Sequence, residues 1–317
     1  MEDLKRVLVL GSNGMVGRAI VRNLLMKDII PIEDQHEYDL TEVSEVRELF
    51  HKCGPTHVFL AAAKVGGIKA NIKYSGDFIY GNLAIQSNVI RACFLEKAKL
   101  CFLGSSCIYP RDCPQPMRES FLGTGALEFT NRAYATAKLA GIELCQAYYK
   151  QYGLRSVVLL PTNLFGPYDR FATPEDAHVV PGIMTRMHAA KVAGEPEFRV
   201  WGSGLAQREF MHVDDFADAA VYLMQQHDLY CGDPINVGSG DETAILSLAN
   251  MLKEIIGYKG SVDREWRSYS GIDGMLRKRL DLDRLTASGW TLPKRGLYNG
   301  LKQTYEWYLE NVVAQTT

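Results

Sequence analysis

The chain has 317 residues, 47% hydrophobic and 23% charged, and its 35 Lys and Arg against 37 Asp and Glu leave a net charge of −2. That composition excludes a disordered chain and suits one large domain or two interleaved ones. A near-neutral balance lacks the electrostatic footprint of a nucleic-acid binder, and apolar runs as short as Val7–Leu10, Phe59–Ala63 and Val157–Leu160 span no membrane. Met1 to Arg6 shows no signal-peptide pattern. The cysteines (Cys53, Cys93, Cys101, Cys107, Cys113, Cys145, Cys231) form no C-x-x-C pair, and no N-x-Ser/Thr sequon occurs. The expectation is a cytoplasmic protein in a reducing compartment, with no metal site.

Strands and helices alternate along the first half. Arg6–Leu10 reads as a strand ending at Gly11, and Met15 to Lys27 as a helix with Val16, Ile20, Leu24 and Leu25 on one face. Ile29–Ile32 is expected as the second strand, closing on the acidic pair Glu33 and Asp34, with Gln35 and His36 following. A helix opens at Thr41, where Glu42 and Glu45 suit its positive end. His57–Leu60 is the third strand, helix signals run to about Glu96, and Lys99–Leu103 is the fourth strand. Arg132–Tyr152 reads as a long helix and Ser156–Leu160 as another buried strand. Short, continuous apolar strands between helices predict an α/β fold with a Rossmann-type doubly wound parallel sheet.

Past Pro161, glycine, proline and aromatic residues become denser and the strands shorter. Residues 1–165, joined by a returning part of about 198–240, are expected to form the dinucleotide-binding domain, and the remainder of about 166–317 a smaller α/β domain. The amphipathic stretch Leu297–Val313 is expected to be a packing helix.

Gly11-Ser12-Asn13-Gly14-Met15-Val16-Gly17 lies at the first strand-to-helix junction. One glycine permits the sharp turn, one lets backbone approach a pyrophosphate, and one allows close helix–strand packing. The helix that follows offers free N–H donors and a positive dipole end to phosphate. Tyr38-Asp39-Leu40 and Ala61-Ala62-Ala63 lie past strands two and three, on the rim where an adenosine would sit.

Tyr134-Ala135-Thr136-Ala137-Lys138 puts a phenol and an ammonium on one helix face. A free tyrosine titrates near 10, so it exchanges protons at neutral pH only with help from a cation. Lys138 can give that help and also hold ribose hydroxyls. Ser105, just after strand four, can donate to the same substrate oxygen as the phenol. On their own, Cys107 reads as a small core residue and His178 as a polar residue at a helix start.

Together the glycine motif, Ser105, Tyr134 and Lys138 resemble the extended short-chain dehydrogenase/reductase superfamily. The finer resemblance is to the GDP-L-fucose synthases, which are GDP-4-keto-6-deoxy-D-mannose 3,5-epimerase–4-reductases. It is carried by Ala61-Ala62-Ala63-Lys64-Val65-Gly66-Gly67-Ile68, Gly104-Ser105-Ser106-Cys107-Ile108-Tyr109-Pro110 and Pro161-Thr162-Asn163-Leu164-Phe165-Gly166-Pro167. His178-Val179-Val180-Pro181, Val200-Trp201-Gly202-Ser203-Gly204, Arg208 to Asp215 and Asn236-Val237-Gly238 continue it.

The resemblance implies a Rossmann domain for NADP(H), a smaller domain for the GDP-sugar, and a homodimer. It assigns C4 reduction to Ser105, Tyr134 and Lys138, and proton transfer at C3 and C5 to Cys107 and His178. It adds Leu103, Gly104, Pro161, Asn163, Leu164 and His178 to the cofactor contacts, beside the glycine loop, Asp39, Leu40, Ala61, Ala62, Ala63, Tyr134 and Lys138. Ser105, Ser106, Cys107, Asn163, Arg186, Trp201, Arg208 and Asp273 become substrate contacts, the arginines suiting a diphosphate.

Bacterial members place arginines in the glycine loop and after strand two to grip the 2′-phosphate; here Ser12, Asn13, Glu33 and Asp34 stand there. An acidic residue about 20 positions past the loop is the usual ribose-diol reader of NAD enzymes. Other members also lack those arginines, and NADP(H) remains the expected cofactor. The rivals are a sugar-nucleotide 4-epimerase, which needs only Ser, Tyr and Lys, and a non-catalytic Rossmann sensor. A 4,6-dehydratase would place an acidic pair where Ser106 and Cys107 stand.

Overall fold

The computed structural model describes residues 4–34, 38–171, 177–226, 231–265, 275–291 and 295–315. Its strands are β1 (Val7–Leu10), β2 (Ile32–Glu33), β3 (His57–Leu60), β4 (Lys99–Leu103), β5 (Ser156–Pro161) and β6 (Asn163–Phe165). They continue with β7 (Glu197–Trp201), β8 (Gln207–His212), β9 (Pro234–Val237), β10 (Glu242–Ala244), β11 (Ser261–Glu265) and β12 (Arg277–Lys278). The helices are α1 (Met15–Met26), α2 (Val43–Cys53), α3 (Ile68–Lys73), α4 (Ser75–Leu95) and α5 (Arg132–Tyr152). After them come α6 (Val179–Ala193), α7 (Val213–Met224), α8 (Ile245–Ile256), α9 (Asp283–Ala287) and α10 (Gly296–Tyr308).

Six parallel strands form the main sheet in the order β2-β1-β3-β4-β5-β9. Side chains alternate across it. Leu8, Leu10, Val58, Leu60, Leu100, Phe102, Val158 and Leu160 enter one core with Val46 and Phe50 of α2, Val89 of α4 and Ile142 of α5. Val7, Val9, Phe59, Cys101, Val157 and Leu159 enter the other with Ile20 and Leu24 of α1 and Phe216 and Ala220 of α7. Helices therefore cover both faces, which is why these strands read as unbroken apolar runs. The chain leaves β1 toward β2 and returns to β3, so the sheet's switch point lies between β1 and β3, where doubly wound folds hold ligands.

The second strand is shorter and later than its sequence predicts, because Pro31 has no N–H to extend the ladder toward Ile29. Of the stretch about 198–240, α7 and β9 rejoin the main sheet's layers, whereas β7 pairs with β11 and β8 lies between β10 and β12 while also pairing with β6. β7 buries only alternate residues, which suits a ribbon covered on one face. Its Phe198 and Val200 join a third core with Ile183, Met184 and Met187 of α6, Leu248 and Leu252 of α8, and Leu301 and Tyr305 of α10. The carboxy-terminal stretch is a packing helix, with Leu301, Tyr305 and Tyr308 buried.

Two buried polar groups tie these layers together. The Glu209 carboxylate, wholly buried on β8, accepts the Gly240 N–H at 2.8 Å and the Leu280 N–H at 3.0 Å. Asn236 of β9 donates to the carbonyls of Met117 (2.9 Å) and Asp281 (3.0 Å) and accepts from the Tyr109 hydroxyl at 2.7 Å. No helix among the described residues is long and apolar enough to cross a membrane.

Candidate active site

The loop after β1 is shaped by contacts that only glycine allows. A Cβ on Gly17 would stand 2.0 Å from the Gly11 carbonyl oxygen, and one on Gly11, at φ +80°, would stand 2.6 Å from the Ala62 nitrogen. Gly14 caps α1 and has no side chain to occupy the first-turn N–H groups of the helix. These features fit a dinucleotide pyrophosphate. Asp34 lies underneath, 5% exposed, with Oδ2 accepting the Gly11 N–H at 2.9 Å and Oδ1 accepting the Ser12 hydroxyl at 3.1 Å. The acidic residue past β2 thus braces the glycine loop instead of presenting its oxygens to a ribose diol.

The adenosine rim divides into open and committed groups. Ala61, Ala62 and Ala63 are half-buried at the end of β3. Asp39 accepts from the Thr41 N–H at 2.8 Å and the Thr41 hydroxyl at 2.7 Å, and these bonds hold its carboxyl below the usual range. Leu40 buries its side chain in the core, and its carbonyl accepts from Asn88 at 3.1 Å.

At the end of β4 the chain turns at Gly104, where a Cβ would meet Leu160 at 2.5 Å, into a 3₁₀ turn capped by Ser105. Ser105 Oγ accepts the Cys107 N–H at 3.3 Å and lies 2.7 Å from Cys107 Sγ; Ser106 is buried behind them. α5 brings Tyr134 and Lys138 to the same place. Lys138, 4% exposed, donates from Nζ to the Leu103 carbonyl at 2.7 Å and stands 5.8 Å from the Tyr134 ring centre. Burial pushes the Tyr134 phenol up, with the neighbouring Cys107 adding to it, and pulls the Lys138 ammonium down to about 8. The phenol is consequently a protonated donor at neutral pH, beside a cation able to stabilise the phenolate left behind.

At the end of β5, Pro161 leads into Thr162 and Asn163, whose side chains donate to the Glu209 carbonyl at 3.0 and 2.9 Å, while Leu164 packs against the core under α1 and α7. His178 stands at the start of α6, its side chain 49% exposed, with Nδ1 3.5 Å from Asp169 Oδ1. That hydrogen bond and charge raise the imidazole's affinity for protons, against burial and Arg170.

The expected GDP-sugar contacts fall in two places. Arg186 of α6 stacks over Trp201 of β7 at 4.1 Å, and both line a cavity of about 470 Å³ with Phe198, Arg199 and Glu265. The Arg186 guanidinium donates to the carbonyls of Gly182 (3.3 Å) and Arg199 (3.1 Å), which fixes it as one wall of that cavity. Arg208 lies on β8, in register with Lys278 of β12. Asp273 lies outside the described residues.

Lys278 is a residue the motifs did not single out. Burial pulls its ammonium down, Cys107 holds it up, and Arg208 lowers it further, so it shares the electrostatics of the Cys107 site. Its only signal in the sequence is the basic run Arg277-Lys278-Arg279, which reads equally well as a solvated strand. Among the described residues no group of three His, Cys, Asp or Glu is placed to hold a metal.

A doubly wound sheet with a glycine loop at its switch point, and a serine, tyrosine and lysine at the end of β4, defines an NAD(P)-dependent enzyme of the extended short-chain dehydrogenase/reductase type. The chain belongs to the NAD dependent epimerase/dehydratase family, whose pattern matches residues 7–238. It is 48% identical over 311 residues to GDP-L-fucose synthase 1 of Arabidopsis thaliana, covering 97% of this chain and 94% of that one. Against the GDP-L-fucose synthase of Escherichia coli strain K12 the identity is 44% over 317 residues, 97% of each chain. A solved structure of a GDP-L-fucose synthetase from Naegleria fowleri bound to NADP superposes with a TM-score of 0.86 at 26% identity, over 96% of this chain and 94% of that one.

Proposed function

We propose that this chain converts GDP-4-keto-6-deoxy-D-mannose to GDP-L-fucose, by epimerisation at C3 and C5 followed by NADPH-dependent reduction at C4. The observation that carries the reading is the packing of a thiol, Cys107, against the reductase hydroxyl, Ser105. Reduction alone needs no thiol there. The relatives at 48% and 44% identity bear the same name as the activity proposed.

The C4 ketone acidifies the hydrogens on C3 and C5, and inversion needs one group to remove a proton and another to return one to the opposite face. Cys107 and His178 are assigned these two roles. Bound NADPH supplies the hydride that C4 receives. Tyr134 gives its proton to the C4 oxygen, Ser105 donates a hydrogen bond to the same oxygen, and Lys138 stabilises the phenolate that forms. The Gly11–Gly17 loop holds the pyrophosphate, with Ala61 to Ala63, Leu103, Gly104, Pro161, Asn163 and Leu164 along the rest of the cofactor. Arg186, Trp201, Arg208 and Asp273 are assigned to the GDP-sugar, and Lys278, whose charge is coupled to Cys107 and Arg208, to the same site. Residues 1–165 with 213–237 serve as the cofactor domain in this reading, and the remainder holds the GDP-sugar.

The chain is further proposed to work as a cytoplasmic homodimer. Seven free cysteines support a reducing compartment, and exposed Tyr80 and Leu95 of α4 with Tyr149 and Tyr152 of α5 support a self-association face. The test of the activity is incubation with GDP-4-keto-6-deoxy-D-mannose and NADPH. Stoichiometric NADPH loss with GDP-L-fucose as product supports it; recovery of the sugar still as a C4 ketone, with no NADPH consumed, overturns it.

A further inference from the structure

The segment joining β6 to α6 carries a carboxylate in an unusual position. Asp169 has only 3% of its side chain exposed, yet His178, 3.5 Å away, is 49% exposed. Its Oδ1 accepts the Arg170 N–H at 2.8 Å and faces His178 Nδ1, while Oδ2 is buried with no hydrogen-bond partner among the described residues. A carboxylate removed from water with one oxygen unsatisfied is costly to hold unless a cation or strong donor faces it. The nearest cationic head on its own segment, Arg170, donates instead to the Val65 carbonyl at 2.8 Å.

The backbone around Asp169 is held in place. Tyr168 adopts φ +67°, a left-handed conformation that a bulky side chain reaches only under constraint from its surroundings. Its ring is clamped between the Arg18 guanidinium at 4.4 Å and Trp307 at 4.7 Å, and Arg18 donates to the Asn13 carbonyl of the glycine loop at 3.1 Å. Local constraint of this kind accompanies functional sites, where geometry matters more than stability.

We infer that Asp169 is the positioning residue for His178: its buried carboxylate accepts from Nδ1–H, fixes the ring, and leaves Nε2 as the nitrogen that trades protons with the sugar. The inference rests on the role proposed above for His178. An imidazole paired to a buried carboxylate keeps one tautomer and holds its second proton more tightly, as a group that must return a proton to carbon requires. Among the described residues, Asp169 and Arg170 are the charged groups that act on His178, and they act in opposite directions. Removing the carboxylate takes away the one of the two that favours the protonated ring.

The test uses the full-length, NADP-loaded protein with carbon-labelled histidine rings, titrated by NMR; the resonance absent from His178→Gln assigns His178. Asp169→Asn, nearly isosteric, should lower the His178 titration midpoint. It should also slow deuterium wash-in to the sugar from D₂O by about tenfold, as loss of a positioned proton carrier does. Asp169→Glu should restore part of both. An unmoved His178 midpoint in Asp169→Asn overturns the inference even if activity falls, because a merely structural role would slow turnover without retitrating the imidazole. If His178→Gln itself exchanges at the wild-type rate, the assignment of His178 fails instead, and the two failures are distinguishable.

Discussion

Ser105 Oγ and Cys107 Sγ stand 2.7 Å apart at the end of β4, inside the same 3₁₀ turn. A hydroxyl has one hydrogen to donate. Ser105 can give it to the sulfur or to the C4 oxygen of a bound ketone, not to both. In the proposed reaction, the hydroxyl would steady the sulfur while the thiol trades protons with carbon, and would turn to the developing oxyanion when hydride reaches C4. One side chain thereby serves both halves of the proposed reaction.

Replacing that side chain should damage both halves. Ser105→Ala is expected to slow reduction by roughly 10²–10³-fold, the cost of one donor to a developing oxyanion, and to slow deuterium uptake from D₂O as well. Single-turnover rates with product mass analysis check it. Slowed reduction with unaltered deuterium uptake would show that the Ser105–Cys107 contact has no part in epimerisation.

Tyr134 is predicted to act in reduction alone. Tyr134→Phe removes only the hydroxyl, so the fold and cofactor affinity should persist while hydride transfer slows by about 10²–10⁴-fold. NADPH fluorescence titration and stopped-flow absorbance measure the two quantities. Near-normal NADPH oxidation would remove Tyr134 from its role.

Lys138 sets a pH limit. With its ammonium pulled down to about 8 by burial, the charge that stabilises the phenolate is present below that pH and lost above it. Reduction should therefore decline as pH rises through about 8, and a rate flat to about pH 10 would contradict this. Stability runs the other way. Between about 8 and the unfolded lysine value near 10.4 the unfolded chain binds more protons, so this group makes the fold more stable as pH rises through that window. Lys138→Met should remove that positive contribution, so stability in denaturant melts rises less, or falls more, over this window than in the wild type.

Glu209 is predicted to be structural. Glu209→Ala strands the Gly240 and Leu280 N–H groups in the interior, at a cost of about 1–3 kcal/mol for each, and should lower the melting temperature. Gly238→Ala should do the same, since its Cβ would meet Glu209 Oε1 at 2.0 Å. Melting curves equal to wild type for both variants would refute the buried tie between β8, β9 and β12.

How far the fold was legible depends on burial. β1, β3, β4 and β5 are covered on both faces, so their apolar runs announce them. The second region resists such reading because β6, β10 and β12 are two or three residues long and pair across distant parts of the chain. The glycine loop and the Tyr134–Lys138 pair are local patterns and stand out. Asp169 and Lys278 do not, since each acquires its meaning from a partner brought close by folding. Asp34 misleads in the opposite sense: its position after β2 invites a ribose-diol role, but which way a carboxylate faces is decided by packing, and here it faces Gly11 and Ser12.

The most direct measurement is turnover of GDP-4-keto-6-deoxy-D-mannose with NADPH in D₂O, with the product identified by NMR, for the wild-type protein and for Cys107→Ala. The wild type should give GDP-L-fucose carrying deuterium at C3 and C5 and a C4 hydrogen from NADPH. Cys107→Ala should lose that deuterium while Ser105, Tyr134 and Lys138 remain, leaving at most slow reduction to an unepimerised 6-deoxyhexose nucleotide. GDP-L-fucose formed by Cys107→Ala with undiminished deuterium uptake would contradict the account and make Cys107 a packing residue.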